Sequence, residues 1–308
     1  MFQVAAHPTA FDAHRQHGHG HSHAHPSARR SSHHQSSSSS QGLQLPRTLA
    51  RPPFAECSRE AILAASPELA NVPSEFIRLR LRETAPQMLA GMSCLAPSHM
   101  PAQLPRTHIP SAMNVPVRAS SSSRMVPSYP THVLAIAPSK HASHSSDAVA
   151  LFPVHALVLA SHCALLPRLP SAAPAHPTAT QVQLPVMPLQ LPSLTAFKIL
   201  HSFMYTHNVG ALLAALLPLP EAFTHTSGFS GEHVTHTMRS GTKLHELSSY
   251  LYSASHKSLS SLTTHAAHVK ELWQDCVTLG VYDLELWDAM DLAWEIVLGA
   301  MNIAAAAH

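Results

Sequence analysis

The stretch Leu151–Val209 decides the fold of this chain: it opens with LFPVHALVLASH (residues 151–162) and closes with FKILHSFMYT (residues 197–206). The chain before it is largely polar and of low complexity, whereas here apolar blocks alternate with turn residues. Short apolar runs bounded by proline or serine are typical of buried strands, and longer runs with helical spacing indicate buried helices. The stretch therefore predicts the centre of an α+β fold.

Strands and core helices are predicted around this centre. We expect strands over residues 131–137, 149–152 and 182–186, and helices over residues 155–166 and 194–206. Pro185 and Pro188 favour an edge position for the third strand, because proline cannot donate a hydrogen bond to a neighbouring strand. Ser193 is a suitable N-cap for the second helix, in which Phe197, Leu200 and Met204 share one stripe.

The regions on either side of this centre differ in character. Residues 58–128 are predicted to be mostly linker, with short helices near Ser58 and from Ser74 to Pro86, because residues 92–128 are rich in proline and serine without a period. Residues 233–303 are predicted to be a helical extension packed on the central unit, since apolar residues recur there at helical spacing.

The first 57 residues predict a disordered arm. Five histidines alternate with small residues, and a run of serines follows at Ser36–Ser40; the histidines are His17, His19, His21, His23 and His25. Such a composition buries too little apolar surface to offset the entropy lost on ordering. The arm could chelate Zn²⁺, Ni²⁺ or Cu²⁺ through these imidazoles, although a flexible tract lacks the fixed geometry of a structural or catalytic metal site.

Charge argues against nucleic acid as the partner. Residues 1–130 carry twelve Lys or Arg and six Asp or Glu, while residues 131–308 carry seven and eleven. The positive charges of the first part are scattered and lack interleaved aromatic residues, whereas nucleic-acid-binding surfaces concentrate them. The sequence also contains no phosphate-binding loop, nucleophile elbow or kinase motif, so it predicts no enzyme and no cofactor.

The cysteines and the apolar segments predict an intracellular protein. Four cysteines are widely spaced and form no C-x-x-C pair, which is typical of reduced, buried thiols. The most apolar segment, near the C-terminal end, is interrupted by Asp288, Asp291 and Glu295, so we predict no membrane contact. No feature of the sequence separates the nucleus from the cytoplasm.

Residues 131–217 resemble a BTB/POZ domain. The resemblance rests on a strand with an aromatic residue (Val149–Phe152), a histidine that opens an apolar helix (His155), a later strand (Val182–Leu184) and a helix that ends in Tyr-Thr (Phe197–Thr206). It implies a small sheet with packed helices, whose core contains His155, Leu157, Leu159, Phe197, Leu200, Phe203 and Tyr205. The N-terminal helix that many dimers of this family use is not visible, which leaves a homodimer open.

A wider pattern, from residue 131 to 303, is similar to the clampless proteins of mushroom-forming fungi. It combines Val154–Leu166 and Phe197–Thr206 with the endings HAAHVKELWQD (residues 265–275) and LWDAMDLAWE (residues 286–295). The resemblance implies a non-enzymatic regulator of sexual development, which promotes clamp-cell formation and dikaryotic growth. Such a regulator would act by contacting another protein, whose identity the sequence does not give.

The sequence also allows two other functions and contains one candidate interaction surface. The His-rich arm raises the hypothesis of a metal-binding protein, and Cys163 beside His162 raises that of a Cys/His hydrolase. Neighbouring residues on a helix point in different directions, however, so adjacency alone does not make a catalytic pair. Trp273, Trp287 and Trp294 have helical spacing that suits either a core or a surface for a partner, and we take them as candidate interaction residues.

Overall fold

The computed structural model describes residues 45–118, 126–139, 147–173, 175–176, 178–224 and 229–307. Residues from Thr48 onward form one compact unit, in which helices and a curled five-stranded sheet are mixed. Most of the predicted N-terminal arm, including its five alternating histidines, lies outside the described residues.

The helices account for most of the regular structure. Two short 3-10 helices cover Pro67–Leu69 and Arg106–His108. Ten α-helices are described: α1 Arg59–Ala65, α2 Ser74–Ser93, α3 Ala156–His162, α4 Leu194–Thr206, α5 Val209–Leu216, α6 Glu221–Thr224, α7 Gly231–Arg239, α8 Gly241–Ala254, α9 Leu259–Leu279 and α10 Leu284–Ala306.

The sheet has the strand order β1-β4-β3-β5-β2. Its strands are β1 Gln103–Pro105, β2 Ala112–Pro116, β3 His132–Pro138, β4 Ala148–Val154 and β5 Gln181–Leu191. β3 pairs antiparallel with β4 and parallel with β5 and is the central strand, and its first six residues are all buried. Alternate residues of β3, among them Val133 and Ala135, pack into an apolar cluster with residues of β4 and β5.

The prolines of β5 are accommodated by a change of partner within the strand. Residues 181–185 pair with β2, whereas residues 186–191 pair with β3. Each half therefore has a single ladder in the described structure, and Pro185 and Pro188 meet the condition under which a strand tolerates proline. The predicted edge position is wrong for the strand as a whole, because β5 lies between β3 and β2.

Residues 92–128 contain strands where the sequence predicts linker. β1 pairs with β4 and β2 pairs with β5, so the sheet begins well before residue 131. The two strands have three and five residues, too few for an alternating pattern to stand out, and their partners lie about 45 to 70 positions away in the sequence. The sheet is therefore not confined to the predicted central unit.

Helix α2 continues past Pro86, where the sequence predicts a stop or a kink. Proline removes one backbone donor from the helix, but Pro86 is exposed, so water can reach the freed carbonyl group. The other side of α2 buries Ile77, Leu81, Ala85 and Met88 against α3 and α4. Burial of this face holds the helix together through the proline.

The C-terminal helices surround α10, which contacts α5, α7, α8 and α9. Gly280 ends α9 in the left-handed conformation with φ 65°, and the carboxylate of Asp283 then caps α10 by accepting from the backbone N–H of Leu286. Among the described helices, α10 is the one whose length and composition would suffice to cross a membrane. However, 61% of its most apolar 18 residues are buried within the fold, as in the core helix of a globular domain.

Candidate functional site

An extended segment before α1, residues 48–57, binds to the C-terminal helices, and we call it the strap. The Arg51 guanidinium donates to the carboxylates of Asp288 at 2.7 Å and Asp291 at 2.5 Å. Trp273 donates its indole N–H to the Ala50 carbonyl at 2.8 Å. Because these contacts order residues 48–57, the predicted disordered arm is wrong for its last ten residues.

Two of the three tryptophans predicted as interaction residues lie in the core. The side chains of Trp287 and Trp294 are buried, and the Trp287 indole N–H donates to the Val281 carbonyl at 3.1 Å. Their helix is covered on several sides by neighbouring helices, so its apolar stripe faces protein rather than solvent. Trp273 is half-buried beneath the strap, and these residues therefore form no common exposed surface.

A closed hydrogen-bond cluster surrounds His155. Its Nε2 lies 3.1 Å from the Ser128 carbonyl, which only accepts, so this nitrogen carries the hydrogen. Its Nδ1 then accepts from the Tyr205 hydroxyl at 3.0 Å, while the His155 backbone N–H donates to the same hydroxyl oxygen at 3.0 Å. Burial lowers the pKa of His155 to about 4 and raises that of Tyr205. The pair is neutral and positions α3 against α4.

The other residues that the BTB/POZ resemblance assigns to the core differ in their solvent exposure. The structure buries four of them, Leu159, Phe197, Leu200 and Phe203, and leaves Leu157 half-buried. His201 lies beside the rings of Phe152, Phe197 and Tyr205 and has its Nε2 3.2 Å from the Pro153 carbonyl. Burial lowers its pKa to about 4 as well.

The thiol of Cys163 is fully enclosed. Its sulfur lies 3.9 Å from the Met204 sulfur, and burial raises its pKa far above that of an exposed thiol. The neighbouring His162 imidazole is bonded to the Val158 carbonyl and to His207. A nucleophilic cysteine needs a depressed pKa and an aligned base, and this geometry supplies neither of those features.

A buried carboxyl group links the start of α4 to α9. Asp275 is 0% exposed, and its Oδ1 accepts from the backbone N–H of Ser193 at 3.0 Å, whereas Oδ2 has no hydrogen-bond partner in the part of the chain that the structure describes. The Ser193 hydroxyl donates to Glu271 at 2.7 Å and accepts from the N–H of Ala196. Burial, reinforced by the nearby Glu271 charge, raises the pKa of Asp275 to about 7.

This raised pKa predicts a pH dependence of stability. Because the folded chain holds the Asp275 proton up to about pH 7 and the unfolded chain releases it near pH 4, the free energy of unfolding should fall as pH rises between these values. Asp275→Asn keeps an oxygen acceptor for Ser193 and cannot ionise. We expect the stability of this variant relative to the wild type to increase by on the order of 1–3 kcal/mol from pH 5 to pH 8.

Urea unfolding of both chains at several pH values measures this difference. Buried histidines such as His155 and His201 act with the opposite sign below about pH 6.5, since their folded-state pKa values are lowered. The difference between the two chains cancels that contribution and isolates Asp275. Glu246→Gln, at an exposed carboxylate on α8, is the control and should retain the pH dependence of the wild type; equal slopes for Asp275→Asn and the wild type would contradict the prediction.

A second histidine pair lies where α3, α4 and α10 meet, and we call it the histidine junction: His162, His207, Asp283, Glu285 and Arg82. The Nε2 atoms of His162 and His207 are 3.2 Å apart. The Nδ1 of His207 lies 3.6 Å from Asp283 Oδ2, and Arg82 donates to Glu285 at 2.9 Å. Burial, with smaller contributions from His162, Arg82 and Arg78, lowers the pKa of His207 to about 3.

Sequence patterns do not mark most members of this junction. His207 follows α4 in the left-handed conformation with φ 45°, which is uncommon for a residue other than glycine. The start of α10 carries a signal that sequence alone can show, because its N-cap Asp283 and first-turn Glu285 put two carboxylates in one turn. Their approach to His207 is a tertiary contact that spacing does not reveal.

The outer side of α2 carries exposed apolar residues, and we call it the α2 outer face: Phe76, Leu79 and Pro86. Phe76 is 61% and Leu79 is 52% exposed, and the two are one helical turn apart. The opposite side of the same helix is already buried against α3 and α4. Helix α2 is thus apolar on two sides, of which the described fold uses one.

Comparison with known proteins identifies the family. A model described as the Clampless protein 1 N-terminal domain matches residues 52–192, and one described as the Clampless protein 1 C-terminal domain matches residues 210–308. No curated protein and no solved structure matches the chain. The two models describe successive domains of one protein, and together they match most of the residues of this chain. The chain therefore belongs to the clampless protein family.

Proposed function

We propose that this chain is a non-enzymatic regulator of clamp-cell formation and dikaryotic growth that acts by contacting another protein. Membership in the clampless family suggests a role in clamp formation and sexual development. The proposal of a contact mechanism is supported by the exposed apolar residues of the α2 outer face. It is also supported by the chemistry of Cys163, His155 and Tyr205, whose polar atoms are occupied in packing and hydrogen bonds.

The α2 outer face is the contact surface that we propose. Large apolar side chains that remain exposed together on one face mark interaction sites more often than isolated ones do. Covering Phe76 and Leu79 would each contribute about 1.5–3 kcal/mol before the costs of association. The helix that carries them is anchored through its buried face, so the surface is presented on a rigid element.

The charges around this surface suggest the chemistry of its partner. Of the three arginines on α2, Arg78 donates to the Ser161 carbonyl and Arg82 to Glu285, which leaves Arg80 at this surface beside Glu75 and Glu83. The Arg80 side chain is 75% exposed and its pairing with Glu83 is a surface contact, which contributes little to stability. A protein with an apolar patch that carries a carboxylate opposite Arg80 would complement this arrangement. A second copy of the chain is the alternative that the test below distinguishes.

Substitution of the two most exposed residues tests the proposal. We expect the double variant Phe76→Ser, Leu79→Ser to keep the unfolding free energy within about 1 kcal/mol of the wild type, since both side chains are exposed. The full chain carrying it should recover at least about tenfold less partner in a pull-down, a loss of about 1.4 kcal/mol. In a strain whose own gene for this protein is deleted, the double variant should fail to restore clamp cells.

A matched control uses an exposed aromatic residue elsewhere. Tyr250 lies on α8 and is 45% exposed, so Tyr250→Ser removes a comparable surface group and should leave both pull-down and clamp formation unchanged. Full restoration of clamp cells by the double variant would reject the α2 outer face. If analytical ultracentrifugation showed that the wild type self-associates and the double variant does not, the surface would be assigned to a homodimer rather than to a different protein.

Two finer statements belong to the same proposal. We propose that residues 131–217 are BTB/POZ-like, which is supported by the chain order of β3, β4, α3, β5 and α4 and by the bond between His155 and Tyr205. We also propose an intracellular location, in the nucleus or the cytoplasm, which is supported by four cysteines that are all buried and unpaired as disulfides.

A further inference from the structure

We propose that His207, Asp283 and Glu285 of the histidine junction bind a divalent metal ion of the zinc type. One ligand atom from each of the three lies within 4.8 Å of the other two. The His207 side chain is only 3% exposed, yet its Nδ1 has no hydrogen-bond partner among the described residues. A buried polar atom of this kind calls for an explanation, and an ion between it and the two carboxylates provides one.

The hydrogen positions in the junction follow from a single fixed acceptor. The carbonyl of Val158 lies 2.9 Å from His162 Nδ1 and can only accept, so Nδ1 carries the hydrogen and His162 Nε2 has the lone pair. His207 Nε2, at 3.2 Å, must then donate to His162. In a neutral imidazole the remaining nitrogen, His207 Nδ1, consequently presents a lone pair.

This lone pair is directed toward negative charge. Asp283 Oδ2 lies 3.6 Å from His207 Nδ1, and the Asp283 side chain is only 12% exposed. A lone pair and a carboxylate oxygen both accept and neither donates, so their close approach in a partly buried site is unfavourable without a cation between them. A metal ion would satisfy both atoms, and it requires the deprotonated nitrogen that the hydrogen-bond chain produces.

The ligand set fits zinc. An imidazole nitrogen combined with carboxylate oxygens suits Zn²⁺, which binds both at about 2.0–2.2 Å with four ligands. Asp283 uses Oδ1 to cap α10, so Oδ2 is the oxygen that would bind the ion. The Glu285 side chain is half-exposed and can move toward the ion, and a water molecule would complete the four positions.

Positive charge near the site opposes the ion and thereby offers a test. Arg82 donates to Glu285 at 2.9 Å, so it competes with a metal for that carboxylate. Arg78 also contributes to the lowered pKa of His207 and is the other arginine near the site. Removing the charge of Arg82 should therefore strengthen metal binding, a result that a purely structural role of these residues would not produce.

The proposed ion would join two separate helices. His207 is the C-cap of α4, whereas Asp283 and Glu285 lie at the start of α10. An ion that binds the folded chain and not the unfolded chain stabilises the fold according to its concentration and affinity. Zinc should thus raise the melting temperature of the whole compact unit.

Zinc titration of the full chain tests the proposal. The five alternating histidines from His17 to His25 are first replaced by alanine, so that their affinity for metal does not obscure the site. Titration of Zn²⁺ against a competing chromophoric chelator should then reveal one ion bound per chain. We expect Asp283→Asn and His207→Asn to weaken its affinity on the order of tenfold to a hundredfold, and Arg82→Gln to strengthen it.

These substitutions are chosen to keep the fold. Asparagine is as good an N-cap as aspartate at position 283, and it tolerates the left-handed conformation at position 207. His201→Asn, at a buried histidine outside the junction, should weaken folding without weakening zinc affinity in the chain that remains folded. Equal zinc affinity with and without Asp283→Asn overturns the site. So does a chain with the five alternating histidines replaced that binds no zinc.

Discussion

Trp287→Ala is expected to lower the free energy of unfolding by about 3–5 kcal/mol. The Trp287 side chain is fully buried at the start of α10, where truncation leaves a large cavity. It also removes the indole N–H that satisfies the Val281 carbonyl just before that helix. Chemical denaturation followed by far-UV circular dichroism measures this change, and a smaller slope would indicate a partly unfolded native state.

Trp273→Ala is the matched control for this substitution. Trp273 is half-buried, and its single described hydrogen bond reaches the Ala50 carbonyl at the surface. We expect a loss of about 1–2 kcal/mol, since less apolar area is removed and water can replace the lost bond. If both variants lost the same stability, the distinction between a core and a strap tryptophan would be wrong.

Leu159→Asp should unfold the compact unit at ordinary temperature. Leu159 is 1% exposed in the middle of α3, and a carboxylate there would have to be buried without a counter-ion or be protonated. The combined loss of apolar burial and cost of charge burial exceeds about 5 kcal/mol, which is comparable with the total stability of many domains. Loss of the cooperative melting transition, with protease sensitivity in α9 and α10, is the expected observation.

Leu157→Asp distinguishes burial from a general intolerance of α3 to charge. Leu157 lies two residues earlier on the same short helix and is half-buried, so a carboxylate at this position can reach water. We expect this variant to stay folded with a loss of about 1–2 kcal/mol. A folded Leu159→Asp chain that also restores clamp cells would contradict the placement of α3 in the core.

The parts of the fold that the sequence predicts well are those with long or strongly apolar elements. Strand β3 and helices α4, α9 and α10 carry runs or stripes whose period is visible, and a glycine, a common helix terminator, follows α9. Strands β1 and β2 are short and pair with distant partners, so no local period marks them. For α2, the buried side of the helix outweighs the local effect of Pro86.

The candidate site was less predictable for a related reason. His155 and Tyr205 were identified through a family resemblance, and the bond between them needs the fold that brings positions fifty residues apart together. The helical spacing of Trp287 and Trp294 is compatible with a core and with a partner surface, and the helices around α10 decide between them. Asp275 and His207 look ordinary in sequence, because burial, which the sequence does not display, determines their chemistry.

The strap can bind its partners only late in the synthesis of the chain. Arg51 leaves the ribosome 237 residues before Asp288 and 240 residues before Asp291, the carboxylates that hold it. At typical translation rates of about 5–20 residues per second, the segment waits for on the order of ten seconds or more without its partners. During that interval the strap is uncovered in the nascent chain and open to chaperones. Binding of the strap to α10 is therefore a late step of folding.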